Sequence, residues 1–212
     1  LFCHGLGEHS GRYAELIQLF QSFSIEVFRF DLRRCGESPG DPQWISSFSE
    51  YVDDLHQAYQ WAQNKRSKTK HFLFCHSLGG AISAHFLKKF HPSFDGIIFS
   101  APAYIPGEIV PKPVIHIAKV IEKILPKAKL KKPLDTGQIS REPTEIQKFN
   151  DDPLCYKFYT LRQGNEILRN LPDMPSLFSD ISTRFAIFHG SSDPVVRIEG
   201  SFDLLRASPA KD

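Results

Sequence analysis

The chain has 212 residues, 41% of them hydrophobic and 24% charged. That suits one globular core with room for an insertion, and it excludes a disordered or fibrous chain. A net charge of +2 carries no nucleic-acid signature, and no apolar run is long enough to span a bilayer as a helix.

Leu1 to Cys3 is a short apolar run leading into His4-Gly5-Leu6-Gly7, a strand followed by a glycine-rich loop. Tyr13, Leu16, Ile17 and Phe20 then recur at helical spacing. Ile25 to Phe30 reads as a second strand, closed by Asp31 and the turn Cys35-Gly36-Glu37-Ser38-Pro39-Gly40. Ser47 and Glu50 form a capping box. The helix behind it places Phe48, Tyr51, Val52, Leu55, Tyr59 and Ala62 on one face. A basic loop from Lys65 to Lys70 precedes a third strand, His71 to Cys75, which breaks at His76-Ser77-Leu78-Gly79-Gly80 into a helix bearing Ala81, Ile82, Ala84 and Phe86. Gly96 to Ser100 is a fourth strand. Such alternation predicts a mostly parallel sheet with helices on both faces.

The rhythm stops at Pro102. Up to about Pro175 the sequence offers no convincing strand. It does hold an amphipathic helix, with Val114, Ile117, Ala118, Ile121 and Leu125 on one side and Lys119 and Lys123 off it. The basic run Lys127, Lys129, Lys131 and Lys132 follows. Strand character returns at Phe185 to His189, then Gly190-Ser191-Ser192-Asp193 and a helix-like stretch from Glu199 to Arg206. The predicted division is therefore an α/β core over 1–101, a helical cap over 102–175 and the second part of the core over 176–212.

Cys75-His76-Ser77-Leu78-Gly79 matches the nucleophile elbow G-x-S-x-G except at its first position. That turn holds a serine in a strained conformation at the sheet's C-terminal edge and needs small residues two before and two after it. Gly79 meets this, and Cys75 is small. The bland alternative is a serine that only caps a helix. The His4-Gly5-Leu6-Gly7 loop aims a backbone N–H from Leu6 into the same place, to join that of Leu78 in an oxyanion hole. Asp193 follows a buried strand and a tight turn, so it emerges at the same edge, in the chain order serine then acid.

His4 to Tyr13, the elbow at Ser77, Gly190-Ser191-Ser192-Asp193 and Phe149-Asn150-Asp151-Asp152-Pro153-Leu154 together resemble the monoacylglycerol lipase and lysophospholipase-like family of α/β-hydrolases (serine aminopeptidase S33, Hydrolase_4). The resemblance runs in order along nearly the whole chain. It implies that Ser77 attacks an ester, that Asp193 is the acid, and that Glu8 and Arg12 lie near a polar head-group pocket. Two residues depart from the family pattern. Arg34 stands where the D-x-R-G-x-G-x-S turn has glycine, and Phe149 stands where the cap has a polar tyrosine.

No histidine follows Asp193, and the base is expected beyond residue 212, with the N-terminus also expected to be incomplete. The expected activity is hydrolysis of carboxylic esters of lipids, of monoacylglycerol or lysophospholipid type, through an acyl-serine intermediate. The alternatives are a non-lipid carboxylesterase, an acyltransferase, or a non-catalytic binding protein on the same scaffold. No metal or organic cofactor is implied. Cys3, Cys35, Cys75 and Cys155 form no C-x-x-C pair and fit no zinc spacing. The partners are a lipid ester and water, with no nucleic acid. A cytoplasmic or peripheral membrane location is expected, the cap contacting anionic surfaces through its apolar face and lysines.

Overall fold

The computed structural model describes residues 1–65, 69–107, 112–131 and 136–210. In chain order its strands are β1 (Phe2–Cys3), β2 (Phe72–His76), β3 (Gly96–Ser100), β4 (Lys129–Lys131), β5 (Phe158–Thr160) and β6 (Phe185–Phe188). Its helices are α1 (Ala14–Ser22), α2 (Ser49–Lys65), α3 (Leu78–Phe90), α4 (Lys112–Ile121), α5 (Pro143–Asp151), α6 (Leu161–Asn170), α7 (Met174–Ser179) and α8 (Ile198–Ala207). Strands β1-β2-β3-β6 form one sheet in that order, every pair parallel. The register pairs Cys3 with Cys75, His76 with Ser100 and Ser100 with Phe188. All four strands therefore end side by side, and the segments that follow them gather at one edge.

The pleat sorts the side chains. Leu73, Cys75, Ile97 and Phe99 are buried with Val52 and Leu55 of α2, Ile82 and Phe86 of α3, and Phe178 of α7. Phe74 points the other way and meets Phe20 of α1 and Phe2. The predicted strand Ile25–Phe30 is present as one parallel bridge between Phe2 and Arg29, with the Phe2 N–H donating to Phe28 O at 2.8 Å. The capping box is displaced by one residue. Glu50 accepts the Ser46 N–H at 2.8 Å and Ser47 Oγ accepts that of Ser49 at 3.1 Å.

The region from 102 to 175 is not free of strands. β4 and β5 pair antiparallel, Leu130 opposite Tyr159. The lysines masked this signal, since Lys129-Leu130-Lys131 alternates with the strand period of two. Lys132 lies outside the described residues. α4 stops at Ile121 and tightens into turns before Pro126, as the residue before proline disfavours helix. Its burial is inverted. Ile117, Val120 and Ile124 are 58%, 64% and 78% exposed, whereas Glu122 is buried. Glu122 lies 2.6 Å from Arg162 Nε and 2.8 Å from Arg169 Nη2, and accepts a bond from Asn165 at 2.8 Å. This clamp holds α4 on α6 by its polar side. No helix among the described residues is long and apolar enough to cross a membrane.

Candidate active site

Ser77 links β2 to α3 at φ 50°, ψ −116°, a strained backbone that a non-glycine residue adopts only when its surroundings impose it. Its N–H donates to Ser100 O at 2.9 Å, and its carbonyl accepts from Gly80 and Ala103, each at 2.9 Å. The main chain is thus fixed by β3 and the segment after it. Cys75 is fully buried, and burial pushes its thiol up to about 12, so it acts as a small inert filler.

At Gly79 an added Cβ would fall 2.4 Å from the Cys3 carbonyl and 2.7 Å from that of His4. Both are backbone atoms that cannot step aside. Gly79→Ala is therefore expected to destabilise the fold by roughly 1–3 kcal/mol, read from the denaturant midpoint. Gly190→Ala, which meets nothing within 4 Å, should be silent in the same assay.

The loop after β1 passes over the serine, since a Cβ on Gly5 would lie 3.2 Å from Ser77 Cβ. His4 is buried and pegs the loop. Its Nδ1–H donates to Gly5 O at 2.8 Å and its Nε2 accepts the Leu32 N–H at 3.0 Å. Burial lowers its pKa, against the pull of Glu8, so the ring is neutral. Leu6 is carried on this loop, and Leu78 opens α3 directly after the serine.

Glu8 does not face an open pocket. Its carboxylate is buried and accepts the Gly5 N–H at 2.6 Å, the Tyr13 hydroxyl at 2.5 Å and Arg12 Nη1 at 2.7 Å. Burial alone would raise its pKa, but the His76 ring with the Tyr13 and Arg12 bonds holds it below the usual carboxylate value. Arg12 in turn lies over the Phe149 ring, 4.9 Å from its centre. The two residues implied as head-group contacts are thus bonded to each other, and Phe149 supplies an apolar face to the pair. Arg34 occupies its glycine position at φ 60°, in the left-handed region, and donates to Trp44 O at 2.9 Å.

Asp193 sits beyond the end of β6. Its Oδ1 accepts the N–H groups of Val195 and Val196 at 2.8 and 3.0 Å. The histidines at this edge have their hydrogen bonds to other groups, although His189 Nε2 also lies 3.4 Å from Asp193 Oδ2. His76 bonds Ser100 Oγ at 3.0 Å, and His189 bonds Ser201 Oγ and Val196 O.

Sequence reasoning missed the seam between the loop and residues 149–156. Tyr156 N–H donates to Gly7 O at 2.9 Å, and His9 Nε2–H donates to Asp152 Oδ2 at 2.8 Å. Only the Asn150-Asp151-Asp152-Pro153 run hinted at it. His9, Asp152 and Cys155 place potential ligand atoms within 4.8 Å of one another. However, the Gly11 N–H donates to His9 Nδ1 at 3.2 Å, so the ring's proton must lie on Nε2, where it serves Asp152. Hydrogen bonding accounts for the His9–Asp152 pair without a metal.

A strained serine on the sheet edge, under a His-Gly loop, is the architecture of the α/β-hydrolases. The comparisons agree. The chain belongs to the Hydrolase_4 family, described as serine aminopeptidase, S33, whose profile matches residues 1–212. It is 30% identical to monoglyceride lipase of Rattus norvegicus over 99% of this chain and 69% of that protein. It is 25% identical to monoacylglycerol lipase of Mycolicibacterium smegmatis, over 100% of this chain and 76% of that protein. Among solved structures, monoacylglycerol lipase of Paleococcus ferrophilus superposes with a TM-score of 0.89 at 29% identity, covering 100% of this chain and 80% of that one.

Proposed function

We propose that the chain is a serine esterase that cleaves carboxylic esters of lipids, of monoacylglycerol or lysophospholipid type. The observation that carries this reading is the strained elbow at Ser77, on the edge from which Asp193 also emerges. Ser77 Oγ attacks the ester carbonyl while a histidine takes its proton and passes it to the departing alcohol. Asp193 orients that histidine, and the N–H groups of Leu6 and Leu78 hold the oxyanion. Water then adds to the acyl-serine, and the fatty acid leaves. Within the described residues no histidine fills the base's role in this reading. Residues 102–175 act as the cap and 1–101 with 176–212 as the core. The test is turnover of a monoacylglycerol and a lysophospholipid by the full-length protein, together with fluorophosphonate labelling. Turnover of neither lipid would overturn the lipid assignment.

A second reading, a non-lipid carboxylesterase or acyltransferase, is favoured by one observation. Glu8 and Arg12 are bonded to each other and Arg12 to the Phe149 ring, which leaves less polar capacity for a glycerol head group. Faster turnover of short water-soluble esters than of monoacylglycerol would select it.

The exposed apolar side of α4 and of the turns that follow it supports peripheral docking on a lipid surface. Ile117, Ile124 and Leu125 are available for it, with Lys119 and Lys123 beside them. Lys127 is already paired with Asp41 at 2.7 Å, so apolar contact dominates. Fully burying one large aliphatic side chain is worth about 1.5–3 kcal/mol. Ile117→Ser/Ile124→Ser/Leu125→Ser is therefore expected to weaken sedimentation with vesicles at least tenfold at low and high salt. Lys→Gln changes at 119 and 123 should act only at low salt and on anionic vesicles. Unchanged binding of the triple variant would rule out docking through α4.

A further inference from the structure

His189 is buried directly after β6, with its side chain 3% exposed. Its Nε2 lies 3.0 Å from the Val196 carbonyl and 3.4 Å from Asp193 Oδ2. Both partners can only accept, so Nε2 carries a proton. Nδ1 lies 2.6 Å from the Ser201 hydroxyl of α8, and with the proton on Nε2 that hydroxyl is placed to donate to it. Val196 is gripped on both sides. Its N–H serves Asp193 Oδ1 at 3.0 Å and its carbonyl takes the His189 proton.

Asp193 Oδ1 is consumed by its own turn, which leaves Oδ2 to serve as the acid's working oxygen, and the His189 Nε2–H bonded to Val196 O lies 3.4 Å from it without a hydrogen bond of its own to that oxygen. We propose that His189 is a positioning residue for Asp193: a brace from α8 through the imidazole to Val196 fixes the acid's turn and the direction of Oδ2. The brace gives a role to a histidine that the esterase reading does not use as its base. It rests on the reading of Asp193 as the acid of the esterase.

The brace makes a prediction that a merely structural role does not. His189→Asn keeps an acceptor near Nδ1 but loses the donor at Nε2, whereas His189→Gln keeps a donor there. A misplacement of about 1 Å in a site can cost roughly 100-fold. In the full-length protein, His189→Asn should lower kcat about 10- to 100-fold with KM changed less than about threefold, and His189→Gln should restore most of it. In an Asp193→Asn background, His189→Asn should cost nothing more, since there is no acid left to orient. A loss of the same size in both backgrounds, or a His189→Gln variant as poor as His189→Asn, would overturn the brace. Asp193→Asn with parental activity would instead remove the acid assignment on which it rests. Equal thermal midpoints for the Asn and Gln variants would place any rate difference between them in the site, not in folding.

Discussion

Ser77→Ala in the full-length protein is expected to abolish fluorophosphonate labelling and to lower ester turnover on the order of a millionfold. The size follows from the chemistry, because alanine has no atom that can form the acyl intermediate. The fold should survive. The backbone bonds of Ser77 to Ser100, Gly80 and Ala103 do not involve its hydroxyl, and alanine also lacks a large side chain to clash in the elbow. Releasing some left-handed strain is not expected, since alanine tolerates φ 50° no better than serine. Labelling that persists in the variant would place the nucleophile elsewhere.

Asp193→Asn should lower turnover on the order of 10⁴-fold while leaving lipid binding unchanged. Asparagine is the same size, and its amide oxygen can still accept from Val195 and Val196, so the turn stays closed. What it loses is the negative oxygen that orients the base and stabilises its charged form. The diagnostic result is a fall in kcat at constant KM. A rise in KM alone would mean that Asp193 binds substrate and that the acid lies elsewhere.

The elements that position this site were legible because each is written locally. β3 is found where an apolar run with no polar interruption placed it, at Gly96–Ser100, and the elbow is a short-range steric motif. The Gly79 clash and the left-handed Arg34 show why small or conformationally free residues mark such turns. What could not be read depends on tertiary partners. Ile25–Phe30 has strand composition, yet it pairs through a single bridge, Phe2 with Arg29. The α4 periodicity was correct as a helix, yet periodicity does not say which face is covered. The inversion is set by Glu122, whose arginine partners lie more than thirty residues away in sequence. Glu8 is a similar case. The sequence shows a carboxylate beside the oxyanion loop, but only the fold shows that Gly5, Tyr13 and Arg12 already occupy it.

The peg formed by His4 also makes the loop after β1 sensitive to acid. Its ring is buried and neutral, with a pKa held below the ordinary 6.5. The unfolded chain therefore takes up a proton first as the pH falls. The stabilisation from this ring is intact above about 6.5 and drains away as the pH drops through that value toward the lower folded one. A protonated ring also cannot accept the Leu32 N–H, so the strut and the charge balance fail together. The denaturant midpoint should decline between pH 7 and pH 5. His4→Gln, which has an oxygen for the Leu32 N–H but no proton to gain, should flatten that decline. With this peg the loop after β1 is expected to be held most firmly near neutral pH and to loosen as the pH falls.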